Sequence, residues 1–111
     1  MADAYKNFAY STVLTAPIPA ASGTSLVVQA GEGANFPAVP FQATIWPVLL
    51  QPLTSNAEIV TVTAVSTDTF TIVRAQEGSS ARTVIVTDQI AATITSQVLD
   101  KYPGPLGLSG L

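Results

Sequence analysis

Valine and threonine alternate on both sides of one short turn in the middle of this chain, and the pattern leaves few folds open. In AEIVTVTAV, residues 57–65, apolar and polar side chains follow a two-residue period, which is typical of a strand with one buried face. STD, residues 66–68, supplies turn residues, and TFTIVRA then places Phe70, Ile72 and Arg74 on one face. The pattern predicts a β-hairpin.

Short β-type segments also occur before and after this hairpin. STVLTA and TSLVVQA flank the segment PIPAASG, FQATIWPVLL contains Pro47 at an edge or a bulge, and TVIVT and QIAATIT flank Asp88 at a turn. Twelve valines and fourteen threonines favour strands over helices. We therefore expect an all-β fold, a small barrel or sandwich of six or seven short antiparallel strands.

A length of 111 residues predicts one domain. We expect an N-terminal arm at residues 1–9, the β-domain at residues 10–102 and an extended C-terminal tail at residues 103–111. Within the domain, SQVLDKY, residues 96–102, is the one helix candidate, with Ser96 as its cap.

The composition restricts the chemistry that the chain can perform. It contains no cysteine and no histidine, which excludes disulfides, thiolate nucleophiles, imidazole metal sites and the commonest general base. A net charge of −3 with four basic residues argues against a nucleic-acid partner. We therefore predict no enzymatic activity, no cofactor and no metal.

Charged residues are scarce, at 10% against 48% hydrophobic residues, whereas an ordinary soluble domain has about 25% charged residues. Part of the surface is therefore predicted to be buried by another protein. No apolar run approaches the roughly 18 residues that span a bilayer, and MADAYKNFAY lacks the features of an export signal. We expect no membrane partner and synthesis in the cytoplasm.

RAQEGSSAR places two of the four basic residues, Arg74 and Arg82, on either side of Glu77. Each arginine is expected to pair with Glu77 or with Glu58 on the neighbouring strand, within one subunit or across a subunit boundary. An anion pocket is the alternative interpretation. Glu58 and Glu77 would be the carboxylates of a glycosidase only if they flanked a groove at a suitable separation.

GEGANFP, which starts at Gly31, lacks the third glycine and the following helix of a dinucleotide site. We expect a loop in which Gly31 and Gly33 adopt backbone conformations closed to other residues, with Phe36 and Pro37 packed on the barrel. Trp46, the single tryptophan, is predicted to pack in the core or in an interface.

The two ends of the chain carry candidate assembly residues. Tyr5, Phe8 and Tyr10 are the aromatic side chains of a candidate docking arm that reaches a neighbouring subunit. At the other end, YPGPLGLSGL has glycine at every third position, the spacing of the collagen triple helix. A linker rich in Gly, Pro and Ser is the alternative. The glycines that would meet at the axis of a trimer are Gly104, Gly107 and Gly110.

Two long segments of the chain are informative together: FAYSTVLTAPIPAASGTSLVVQAGEGANFPAVPFQATIWP and, after it, NAEIVTVTAVSTDTFTIVRAQEGSSARTVIVTDQIAATIT. They resemble a small β-domain that recurs in structural proteins of tailed bacteriophages. The resemblance covers residues 10–95, and its most specific pieces are NAEIVTVT and RAQEGSSAR. In that family the domain forms the N-terminal part of head or tail fibre proteins, or a small virion protein. Gly-X-Y stretches frequently follow it, which favours the collagen interpretation. Family members commonly carry glycine in the hairpin turn where this chain has Thr67.

The resemblance implies a structural protein of the virion, assembled in the host cytoplasm. We expect a homotrimer that decorates the capsid or forms the base of a head fibre. It would bind the major capsid protein through the arm or a barrel face, with the C-termini at a threefold axis. The alternative is a tail protein, either a fibre adaptor or a tail-tip component. A third hypothesis, a carbohydrate-binding module, would use Trp46 with Tyr10 or Tyr102.

Overall fold

The computed structural model describes residues 7–93 and residue 95. This part of the chain forms six strands and a short 3₁₀ helix, Glu32–Asn35. The strands are β1 Tyr10–Thr15, β2 Ser25–Val28, β3 Phe41–Trp46, β4 Glu58–Ser66, β5 Thr69–Val73 and β6 Gln89–Ala92. All neighbouring strands are antiparallel, and they close into a barrel in the order β1-β2-β5-β4-β3-β6. The all-β prediction is confirmed, and of the two expected architectures the chain adopts the barrel.

The hairpin predicted from the valine and threonine alternation is formed by β4 and β5. These strands pair as far as Ser66 and Thr69, so a two-residue turn joins them. A register shift between Val62 and Ala64 leaves one additional residue on β4. Such a bulge bends a strand and increases its twist, as the closure of a small barrel requires.

Inward-facing side chains of all six strands fill the barrel, and loop residues complete the core. The ring centroid of Phe36 lies 4.8 Å from that of Phe70 and 5.7 Å from that of Phe41. Since Phe36 and the buried Pro37 belong to the GEGANFP loop, this loop packs on the barrel as expected. The core consists of Ala9, Val13, Leu26, Val28, Phe36, Phe41, Ala43, Ile45, Val60, Val62, Phe70, Ile72, Val84 and Ile90.

Successive strands run in opposite directions, so the connections divide between the two ends of the barrel. Three loops, residues 16–24, 47–57 and 74–88, follow β1, β3 and β5 at what we call the loop end. Residues 29–40 and the turn at 67–68 lie at the opposite end, where the chain also enters β1 and leaves β6. We call this second end the terminal end. A surface built by the three loops therefore lies opposite the points where the chain enters and leaves the barrel.

Asp68 fastens the GEGANFP loop to the hairpin turn. Its carboxylate accepts hydrogen bonds from the backbone N–H groups of Gly31 and Gly33, each at 3.0 Å. Gly31 has the expected left-handed φ, 82°. Gly33 is needed for a different reason, because a Cβ there would collide with the carbonyl oxygen of Thr67. The N–H groups that a phosphate would require are engaged by Asp68.

The prediction of a strand at TVIVT is wrong. Residues 83–87 belong to the long loop between β5 and β6. Asp88 accepts a hydrogen bond from the N–H of Ile85 through its side chain and donates its own N–H to the carbonyl of Ile85. These two bonds fold the segment into a turn, and they override the strand propensity of its β-branched residues.

The interpretation of Pro47 as an edge or bulge residue is also wrong. Strand β3 ends at Trp46, so Pro47 starts the loop that follows, and the closed barrel gives β3 a partner on each side. The helix candidate at 96–102 and the tail at 103–111 lie outside the described residues, as does most of the arm, residues 1–6.

Replacing Thr67 by glycine is expected to stabilise the barrel by about 1 kcal/mol. Thr67 has a φ of 58°, which β-branched residues rarely adopt and glycine adopts freely. Thr71→Gly is the matched control at an exposed, extended position of β5, and it should lower the free energy of unfolding by a similar amount. Urea denaturation measures both variants, and a loss of stability in Thr67→Gly would contradict the prediction.

Candidate functional site

The side chain of Glu58 is fully buried at the loop end of the barrel. Arg74 donates two parallel hydrogen bonds to its carboxylate, Nε to Oε2 at 2.8 Å and Nη2 to Oε1 at 2.9 Å. The backbone N–H of Ala75 donates to Oε2 at 2.7 Å, and that of Arg82 donates to Oε1 at 3.0 Å. Four donors therefore satisfy this carboxylate, as the burial of a charge requires.

The two-residue period of the hairpin places both members of this ion pair on its inner face. Glu58 lies two residues before the buried Val60 on β4, and Arg74 lies two residues after the buried Ile72 of β5. Because β4 and β5 are antiparallel neighbours, the first residue of β4 meets the residue that follows β5. The same alternation that predicts the hairpin thus accounts for the Glu58–Arg74 contact.

The other N–H groups of Arg74 bind two of the loops. Nη1 donates to the carbonyl of Gly23 at 2.9 Å, and both Nη atoms donate to the carbonyl of Ala20 at 3.2 Å. Nη2 also donates to the carbonyl of Arg82 at 2.8 Å. One guanidinium group therefore joins the 16–24 loop and the 74–88 loop to the start of β4.

Arg82 extends these contacts to the third loop. Its Nη2 lies 2.8 Å from Oδ2 of the buried Asp88, and its Nη1 donates to the carbonyl of Asn56 at 2.7 Å. The Asn56 side chain in turn accepts a hydrogen bond from the N–H of Leu53 and donates to the carbonyl of Gln51. We call four side chains the ionic network: Glu58, Arg74, Arg82 and Asp88.

The pKa of Glu58 reflects two opposing effects. Burial raises the pKa. The hydrogen bonds from Arg74 and from the N–H groups of Arg82 and Ala75, together with the charge of Arg74, lower the pKa by more than burial raises it. The pKa therefore lies below the ordinary value of 4.5. Glu58 is ionised at neutral pH, where it pairs with Arg74 as an anion.

The three connected loops carry most of the exposed apolar side chains. Of the twelve large hydrophobic side chains exposed in the described part of the chain, seven lie in these loops. We call this set the apolar rim: Ile18, Val48, Leu49, Leu50, Leu53, Ile85 and Val86. Concentrations of exposed apolar residues on a soluble domain mark interaction sites. The apolar rim is therefore the candidate docking surface.

Leu49 is the most exposed member of the apolar rim, at 95%. Its φ of 67° costs a residue other than glycine about 1–2 kcal/mol. The exposed side chain gains no burial within the chain in return. Ala75, Glu77 and Thr87, also at the loop end, share a positive φ. Backbone strain of this kind concentrates at functional sites, which agrees with a docking role for these loops.

Every charged side chain in the described part of the chain has a partner within the chain. Apart from the ionic network, these charged residues are Glu32, Asp68 and Glu77, which accept hydrogen bonds at 2.6 to 3.0 Å. The described surface consequently offers a partner mainly apolar and neutral polar groups. An interface formed with it would depend little on ion pairs.

A groove of about 510 Å³ lies on the outer side of β3 and β4, and we call it the outer groove. Trp46 and Ile59, which face away from the core, line it together with Leu53, Glu77 and Thr95. Trp46 was expected in the core or in an interface. It is half-buried on the outer side of the barrel and does not belong to the core.

The sequence does not decide whether Glu77 or Glu58 is the partner of the arginines. The structure does decide it. Arg74 pairs with Glu58 and Arg82 with Asp88, both within one chain. Glu77 lies at the outer groove, where Gln42 and Thr95 donate hydrogen bonds to it. Asp88 is the residue that the sequence reasoning missed, because only the path of the 74–88 loop brings it to Arg82.

The candidate docking arm lies at the terminal end, as far as it is described. Phe8 is 84% exposed just before β1, and Tyr10 is the first residue of that strand. Tyr10 and Trp46 do not form a joint platform, because β6 lies between their strands. Tyr5 and Tyr102 lie outside the described residues, and so do Gly104, Gly107 and Gly110.

The fold and these contacts define a small antiparallel β-barrel with an apolar rim at one end and an ionic network beneath it. No protein-family model matches the chain, and no curated protein matches it significantly. Within the described residues, no helix is long and apolar enough to cross a membrane. The resemblance to phage structural domains therefore stays a prediction.

Arg74→Ala is expected to lower the free energy of unfolding by about 3 kcal/mol, because it leaves the carboxylate of Glu58 buried without its cation. Adding Glu58→Gln removes that stranded charge, so the double variant should be more stable than Arg74→Ala alone. Chemical denaturation of the two single variants and the double variant gives the coupling energy. Independent, additive effects would contradict the network.

The stability of the protein is expected to depend on pH through Glu58. Since folding lowers the pKa of this group below 4.5, its contribution is complete above that pH and is lost as the pH falls through the folded-state pKa. The difference in stability between the wild type and Glu58→Gln should therefore shrink below pH 4.5. Thermal unfolding between neutral pH and acid measures it, with Glu32→Gln as the control. A constant difference would contradict the assignment.

Proposed function

We propose that the protein is a structural component of a tailed-bacteriophage virion. In this proposal it is a homotrimer that decorates the capsid or forms the base of a head fibre, and it binds the major capsid protein. The observation that carries the proposal is the apolar rim, which the ionic network holds in place on three loops. The resemblance of the sequence to phage structural domains supplies the class of partner.

The ionic network suits the loops to docking. Loops that become ordered only on binding lose conformational entropy at that step, which weakens the complex. Here the contacts of Arg74 and Arg82 to carbonyl groups in all three loops order them when the domain folds. The rim then presents its apolar side chains at little further entropic cost.

The distribution of charge predicts how the protein would bind. Because the described charged side chains have partners within the chain, docking through the rim would rest on apolar contact. Burial of apolar surface is not screened by salt, whereas contacts between exposed charges are. A capsid contact of this kind would persist at high ionic strength.

The barrel also has a direction that suits the base of a fibre. The apolar rim lies at the loop end, and the chain enters β1 and leaves β6 at the terminal end. In a subunit seated on its rim, the first residue of β1 and the last residue of β6 would lie on the side away from the shell. Since Phe8 and Tyr10 lie at the terminal end, we assign docking to the loop end of the barrel and not to the N-terminal arm.

Sedimentation with particles of the phage that encodes the chain tests the proposal. The purified protein is expected to co-sediment with emptied heads, and still to do so at about 1 M NaCl, where the Debye length is about 3 Å. In solution, light scattering should give a mass close to three times the chain mass of 11.5 kDa. Binding to tails alone would contradict the capsid assignment and favour a tail adaptor. A monomer would contradict the trimer.

Variants of the rim separate docking from folding. Leu49→Ser and Ile18→Ser should each weaken head binding about tenfold, which is the loss of roughly one buried aliphatic side chain. Val39→Ser is the matched control, because Val39 is exposed in a loop at the terminal end. Circular dichroism verifies that all three variants fold. If the rim variants bound heads as tightly as the control, the rim would not be the docking surface.

A further inference from the structure

We propose that the 74–88 loop carries two latent cleavage sites for an arginine-specific protease, and that the ionic network shields both of them together. The sites are the peptide bonds that follow Arg74 and Arg82. A protease reaches either bond only when the network opens. This inference concerns the loop end of a single chain, so it does not rest on the proposed virion role.

The 74–88 loop has the composition of a segment that proteases attack. Loops with small and polar residues at their tips are the preferred sites of proteolytic nicking. The stretch between the two arginines, AQEGSSA, contains one glycine and two serines, and none of its residues is buried. In an unstructured peptide of this sequence, a protease with a specificity pocket for arginine would cleave on both sides of the stretch.

The two side chains that such a protease must bind are withdrawn from solvent. The side chain of Arg74 is 8% exposed, and that of Arg82 is 17% exposed. The guanidinium group of Arg74 donates to Glu58 and to loop carbonyls. That of Arg82 donates to Asp88 and to the carbonyl of Asn56. Neither group can enter a specificity pocket unless these hydrogen bonds break.

The backbone at both sites is held by the same carboxylate. The N–H of Ala75, which belongs to the first peptide bond, donates to Oε2 of Glu58 at 2.7 Å. At the second site, the N–H of Arg82 donates to Oε1 of Glu58 at 3.0 Å, and its carbonyl accepts from Nη2 of Arg74 at 2.8 Å. Ala75 also has a φ of 52°, which is far from an extended conformation. Because one carboxylate binds both segments, we expect the two sites to open together.

Opening of the network does not require the barrel to unfold. Residues 74–83 contribute no side chain to the hydrophobic core, and Val84 is the first core residue that follows them. Segments that bury few apolar side chains open at a lower free energy than the whole domain. The loop segment can therefore open while the strands stay paired.

Digestion of the full-length protein with an arginine-specific endoprotease tests the inference. Arg74 and Arg82 are the two arginines of the chain. Intact-mass spectrometry is expected to show initial cleavage at both, about a hundredfold more slowly than in the denatured chain, because cleavage follows the population of the open form. Leu49→Arg is the control, since it places an arginine at an exposed loop position outside the network. Cleavage there should be about tenfold faster, and equal rates at all three sites would overturn the inference.

Two further variants distinguish a shared opening from separate shielding and from unfolding of the barrel. Asp88→Asn weakens the pair with Arg82. It should accelerate initial cleavage after both arginines by the same factor, about tenfold, as the loss of one charged hydrogen-bond partner implies. Val28→Ala destabilises the barrel core at the terminal end and should leave both rates unchanged. Acceleration after Arg82 alone in Asp88→Asn, or equal acceleration in Val28→Ala, would overturn the inference. Circular dichroism verifies that the variants fold.

Discussion

Burial of one carboxylate organises the whole loop end of the barrel. Removing the charge of Glu58 from water costs several kcal/mol unless its oxygens are fully hydrogen-bonded. Here that condition requires Arg74 and the N–H groups of Ala75 and Arg82 to adopt one arrangement. The same guanidinium group binds the 16–24 loop. The order of the least regular part of the fold is thus coupled to the burial of a single ion.

The ionic network also explains the character of the surface. A chain with 10% charged residues has few charges to distribute, and four of them lie in contacts that fix loop backbones from the inside. Loops usually obtain their order from short turns or from strand pairing. In this barrel the charges of the ionic network order the loops from their inner side. Leucine, isoleucine and valine occupy exposed positions on the outer side of the same loops.

The sequence predicts the local features of the fold better than the distant ones. The β4–β5 hairpin and the Glu58–Arg74 contact follow from alternation across one turn, because both depend on neighbouring residues. The pairing of β1 with β6 depends on closure of the barrel and has no local pattern. TVIVT has strand composition and is a local exception, because Asp88 exchanges hydrogen bonds with Ile85, three residues before it, and the segment becomes a loop. Gly33 is required by the proximity of Thr67, which no motif indicates.

Closure of the barrel determines how copies of this domain can contact one another. Each of the six described strands has a partner on both sides, so the barrel presents no row of unpaired backbone N–H and C=O groups. Sheets with such rows recruit further strands and grow into aggregates, above all when they are rich in valine and threonine. Many copies of this domain can therefore be packed at high local concentration without polymerising through their backbones. Contacts between copies are then made by side chains. Such contacts can be specific and can limit the assembly to a defined number of subunits.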